Sequence, residues 1–232
     1  MTGTEDLFTP IHKALRSMIY GLSSRLQTND FADRDATAAL VQDLENDFAV
    51  ARSAGCTLCA LGQHARDEES VIFPDVARHE ERLVRALIEE HHELGRRELA
   101  IAKAGHELLA LDSADDRVSA GIRLNQSAND LFALYIAHMN REESDLVPLM
   151  KERYSDPQMA QMRGKIIGAM PPDRMMAILG WMLPSLNVDE LTGFVGMLKA
   201  GAQPPVFKAV ADLSAARVDP ARWKIVKERV GI

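Results

Sequence analysis

At 232 residues, 47 % apolar and 26 % charged, the chain has the composition of a folded protein with enough apolar surface for a sizeable core in one or two domains. A net charge of −7, with no basic stripe interleaved with aromatics, excludes the electrostatic footprint of a nucleic-acid binder. The acidic start "MTGTEDLFTP" lacks the apolar run of a signal peptide. No window approaches the roughly 20 apolar residues of a membrane span, so a cytoplasmic protein is expected.

Apolar residues recur at three and four along the chain, and alternating β-branched runs between turn residues are missing, so the chain reads as all-α. Thr9 and Pro10 read as N-cap and first helical position of a helix through "IHKALRSMIYGLSSRLQ" that stops at "TNDFADRD". A second helix is expected over about 35 to 71, stopped by Phe73-Pro74. The third covers about 79 to 110 and ends in "DSADD"; the fourth covers about 117 to 153, with Leu124, Leu131, Leu134 and Ile136 on its core-facing stripe. Four long helices with short connections predict an up-down antiparallel four-helix bundle over residues 1–154. From 155 to 232 an α-helical extension is expected, in shorter helices rich in Met and punctuated by Pro171-Pro172, Pro184, Pro204-Pro205 and Pro220. Its apolar stretch must pack within the chain, in a homodimer or on a protein partner. Cys56 and Cys59, three apart on the second helix, read as small buried hydrophobes before they read as a redox pair.

Inside the bundle lies a repeat. "HARDEESVIFP" from His64 and "HMNREESDLVP" from His138 share His, Glu, Glu, Ser and Pro at five of eleven positions. "IHKALR" around His12 and "EHHELG" around His91 echo each other more faintly, each with Leu three residues after its histidine. In a helix i and i+4 share a face one turn apart, so His64 with Glu68 and His138 with Glu142 can both point inward. Imidazole with carboxylate suits a first-row metal ion, and two inward carboxylates from facing halves are placed to bridge two ions, with His12, His64, His91 and His138 capping them two per ion. His91 and His92 differ by about 100° around their helix, so only one points inward, and the match to His12 selects His91. Glu69 and Glu143 fall further round their helices and are expected outside the ligand set or facing solvent. His79 and His106 lie roughly 18 and 22 Å along the helix from His91, too far to join. Tyr135 reads first as core and second as a gate or ligand.

This constellation resembles the hemerythrin-like proteins of the His-His-Glu cation-binding pattern. That pattern is met by His12, by His64 with Glu68, by His91, and by His138 with Glu142, over about residues 8 to 153. The resemblance implies a non-haem di-iron centre, two iron ions with an oxo or hydroxo bridge, that binds oxygen or a related small molecule such as peroxide or nitric oxide. Oxygen carriers of the family have a second histidine on the third helix four after the first, where this chain has Gly95, and place the last carboxylate five after its histidine, which keeps Glu143 as a substitute for Glu142. Open metal positions make oxygen storage less secure and favour redox chemistry or sensing; the role expected from the resemblance is sensing, storage or detoxification. A di-iron peroxidase or oxidase, with Tyr135 as a redox neighbour, is one alternative. An iron-responsive regulator acting through the C-terminal extension is another. More loosely, the tail around "WMLPSLNVDEL" resembles the segment that follows hemerythrin repeats in plant iron-sensing ubiquitin ligases.

Overall fold

A computed structural model describes residues 6–47 and 60–232, and every regular element among them is helical. Helix α1 runs Thr9–Thr28 and α2 runs Arg34–Asp47. Helix α3 runs Ala60–Asp67 and passes through a π turn, Glu68–Ile72, into α4, Phe73–Leu109. Helix α5, Ala114–Arg141, passes through a second π turn, Glu142–Leu146, into α6, Val147–Arg153. The cysteines Cys56 and Cys59 lie outside the described residues.

The start of α1 is capped differently from the sequence expectation. Thr9 is already helical, and the carboxylate of Asp6 accepts from the backbone N–H groups of Phe8 at 3.0 Å and Thr9 at 2.9 Å. Pro10 sits in the first turn, where its missing N–H costs nothing.

Phe73-Pro74 does not stop the second helix. Each copy of the repeat has Pro six residues after its first glutamate, Pro74 after Glu68 and Pro148 after Glu142. In an α-helix each proline ring would meet the carbonyl four residues back. The π turn widens the helix there instead: the N–H of Phe73 bonds to the carbonyl of Glu68 and that of Val147 to the carbonyl of Glu142, five residues back in each case. The helix continues past Pro74 and breaks at Glu80, whose φ of −140° and ψ of 67° are non-helical. The third bundle helix then runs to Leu109.

The stripe of α5 is also rotated from expectation. Leu124, Ala128, Leu131, Phe132, Tyr135 and Met139 are buried, whereas Leu134 is 37 % exposed and Ile136 is only partly buried. Spacings of three and four from Leu124 lead through Tyr135 to His138 and Glu142, and Leu134 falls one residue out of phase.

Two apolar layers fill the bundle. One contains Leu15, Leu61, Leu94, Tyr135 and Met139; the other contains Phe8, Ile72, Leu87 and Leu146. His12 lies between Phe8 and Leu15, His64 between Leu61 and Ile72, His91 between Leu87 and Leu94, and His138 between Tyr135 and Leu146. All four helices thus carry their histidines in one polar layer between two dry ones.

The extension forms α7 (Asp156–Ala169), α8 (Pro172–Ser185), α9 (Val188–Gly201), α10 (Pro204–Arg217) and α11 (Pro220–Val230). Each of these helices has Pro in its first turn or a side-chain cap: Asn187 and Glu190 form a capping box for α9, and Asp219 accepts from the N–H of Arg222 for α11. Leu179, Leu183, Leu191, Val195, Trp223 and Val226 form a core of their own that includes Ala14 of α1, with Ile11 against its edge. Lys13 donates to Glu190 at 2.6 Å alongside. The apolar tail therefore folds back onto the first helix of the bundle.

Candidate metal centre

All six residues singled out by the repeat converge in the polar layer. His12, His64, Glu68 and Glu142 form one donor set, and Glu68, His91, His138 and Glu142 a second; within each, the offered atoms lie within 4.8 Å of one another. Each carboxylate divides its oxygens between the sets. Oε1 of Glu68 lies 3.1 Å from Nε2 of His64, and Oε2 lies 3.3 Å from Nε2 of His91. Oε2 of Glu142 lies 3.3 Å from Nε2 of His12, and Oε1 lies 3.3 Å from Nε2 of His138.

These atoms are buried and turned toward one another. His12 and Glu142 are 0 % exposed and Glu68 1 %, and all four carboxylate oxygens and Nε2 of His138 lack a hydrogen-bond partner. Orphaned buried acceptors cost about 1–3 kcal/mol each, so a cluster of them fits a site built for a cation. The spacing agrees: two donors about 2.1 Å from a shared ion and at right angles lie about 3.0 Å apart. The donor chemistry and geometry fit two divalent first-row ions.

The far side of three rings fixes their orientation. Nδ1 of His12 bonds to Glu143 at 2.9 Å, Nδ1 of His91 to Glu69 at 2.8 Å, and Nδ1 of His138 to Glu90 at 2.7 Å. A carboxylate there holds the proton on Nδ1 and leaves the Nε2 lone pair facing the centre. Arg16 anchors Glu143 at 2.8 Å, and Arg141 anchors Glu90. Glu143 thus serves His12 from outside, and does not take the place of Glu142. His92 is exposed and outside both sets, and His79 packs its ring against Tyr154. Tyr135 is buried one turn from His138 and donates its hydroxyl to buried Glu98.

Electrostatics in the metal-free chain follow from this crowding. Burial, then the charge of Glu142, pushes the carboxyl of Glu68 well above its usual range. Burial works against the charge on Glu142 too, but the close imidazoles of His12 and His138 prevail and hold it well below. Burial lowers His64 strongly, helped by the neighbouring His12. For His12 burial is outweighed by Glu142 and Glu143, and its value is raised.

A family model for the hemerythrin HHE cation-binding domain matches residues 5–150. The chain belongs to the hemerythrin family. No curated protein and no solved structure matches it. The hemerythrin domain binds metal cations, and the two His/Glu sets are groups able to hold them. The match ends at the close of the bundle, so α7 to α11 lie beyond it.

Within the hemerythrin bundle the two donor sets face different surroundings. His64 and Glu68 line a largely apolar cavity of about 200 Å³ that α8 and α9 help to wall. His91 lines a cleft of about 410 Å³ on another side, with Glu69, His92, Gly95, Glu98 and Tyr135. A Cβ added at Gly95, one turn from His91, would meet nothing within 4 Å. The sequence reading missed Glu90, because its partner by repeat, the residue before His12, is apolar Ile11. It also missed the cavity, whose far wall comes from helices outside the repeat.

Among the described residues no helix is long and apolar enough to cross a membrane.

Proposed function

We propose that this hemerythrin-family chain is a non-haem di-iron protein that binds oxygen or a related small molecule, peroxide or nitric oxide, for sensing, storage or detoxification. The observation that carries the reading is the pair of carboxylates that each offer one oxygen to either donor set, inside a layer whose acceptors have no other partner. When bound, two redox-active ions supply Lewis acidity and changes of oxidation state. The chain supplies the rest. The apolar layers above and below exclude water, Glu143, Glu69 and Glu90 hold protons on the outer ring nitrogens, and the arginines Arg16 and Arg141 hold two of those carboxylates in place. With two histidines and two shared carboxylates per ion, neither donor set reaches six protein ligands, which leaves positions for a small ligand.

The test is metal content and optical spectrum of protein from iron-replete cells, reduced without oxygen and then exposed to it. Close to two irons per chain and a spectrum that changes with oxygen support the proposal; zinc, or no metal, sinks it. A second reading, a di-iron peroxidase or oxidase, draws support from the two cavities that reach the donor sets from different sides. Steady peroxide turnover, lost in Glu68→Gln, would separate it from reversible binding.

A further inference from the structure

The cavity of about 200 Å³ beside His64 and Glu68 is larger than a diatomic ligand needs, and its lining is largely apolar. Ile11 and Ile72 of the bundle contribute to it, together with Ile178 and Met182 of α8 and Phe194 and Met197 of α9. Ile167 and Met197, 47 % and 45 % exposed, are its most solvent-open lining residues and mark its mouth. The charged residues on the wall are already paired. Arg174 donates to Asp67 at 3.0 Å, and Asp67 accepts from Gln63 at 2.8 Å with its other oxygen. Asp6 is occupied in capping α1, where it takes the N–H groups of Phe8 and Thr9. The carboxylate oxygens of Glu68 are buried and turned toward the donor sets, and Arg163 has a partner of its own.

Such a chamber offers apolar surface and few free donors or acceptors. A charged ligand would give up its water there without replacement, and a water molecule would find too few polar partners to settle. An apolar cavity of about 150 Å³ stays dry and takes benzene, so one of about 200 Å³ takes a slightly larger body. We propose that the chamber binds one uncharged, apolar organic molecule of about seven to nine carbons, a simple hydrocarbon body, against His64 at one face of the donor sets. The C-terminal extension thereby gives the hemerythrin bundle a binding site that the bundle alone does not enclose. For the oxidase reading above this names the substrate class. The binding itself rests on neither reading, because side chains alone form the wall and the ligand is expected with or without metal.

The experiment uses toluene as the probe, and benzoate as a charged molecule of similar size, on the full-length metal-free chain. Calorimetric titration should show saturable one-to-one binding of toluene, with benzoate at least about tenfold weaker. The place of binding is read from the methionine methyl resonances. Of the eleven methionines, Met170, Met182 and Met197 line the chamber, whereas Met18 and Met139 lie in the core of the bundle. Toluene should shift the first three and leave the other two unmoved. Ile178→Trp, which fills the chamber from α8, should abolish saturable toluene binding while metal uptake is unchanged. No saturable toluene binding, benzoate binding as tight, shifts at Met18 and Met139 in place of the chamber methionines, or toluene binding untouched by Ile178→Trp overturns the proposal. Metal content of protein from iron-replete cells tests the metal centre separately, so the failure of either reading is visible without the other.

Discussion

The two carboxylates shared by the donor sets have opposite standing in the metal-free chain. Glu68 is pushed toward its neutral form by burial and by Glu142, so Glu68→Gln should disturb the metal-free fold little while metal content falls. Glu142 is held ionised by His12 and His138, so Glu142→Gln should lose metal and also destabilise the metal-free chain, by up to about 3 kcal/mol in chemical denaturation, because it leaves those rings without their counter-charge. Glu68 and His12 must be deprotonated to hold a cation. Both values are raised in the folded chain, so their contribution to metal-free stability is present below the unfolded values and is lost as pH rises through the folded ones. Metal affinity changes the other way. The gap in unfolding free energy between loaded and metal-free protein should therefore widen from pH 6 to pH 8, with proton release on loading detectable as a buffer-dependent heat. A gap that narrows over this range would contradict the protonation pattern.

At the scale of the helix, two glycines that look alike in sequence differ in consequence. Gly95 on α4 faces open space, so Gly95→Ala should stabilise the chain by about 0.5–1 kcal/mol through helix propensity, with metal content unchanged. Gly121 on α5 lies under the ring of buried Phe31, whose carbons come within 2.2 to 2.5 Å of an added Cβ. Gly121→Ala should cost about 1–3 kcal/mol, since the ring must move within a packed layer. Denaturant midpoints of the two variants should shift in opposite directions. The same distinction between period and environment governs what could be read in advance. His12, His64, Glu68, His91, His138 and Glu142 were legible because i, i+4 spacing and the repeat operate along single helices. The π turns were not: a rule that proline stops an α-helix assumes α geometry, and the sequence pays for Pro74 and Pro148 with one wide turn each. Leu134 was misassigned by a single residue of phase. Glu90 and Arg174 depend on helices meeting across space, and no spacing along the chain encodes that.

For the molecule as a whole, the extension is fastened to the bundle through α1, where Ala14 enters the C-terminal core and Lys13 reaches Glu190. Both tryptophans, Trp181 and Trp223, lie in the extension, whereas the donor sets lie in the bundle. Tryptophan fluorescence and metal absorbance should therefore lose their native signals in one coincident transition on heating. Leu183→Ala, which empties a fully buried position of the C-terminal core at a cost of about 2–5 kcal/mol, should lower both midpoints together. Two separated transitions would mean that the layers unfold independently. The divided carboxylates have a further consequence for how such a molecule fills. If each donor set takes one ion, the first to bind would favour the ionised form of Glu68 and align both carboxylates, which the second position also needs, so loading is expected to be cooperative, with an isotherm steeper than a simple hyperbola. A population short of metal would then divide into filled and empty molecules, and shortage would register as a change in the number of competent copies.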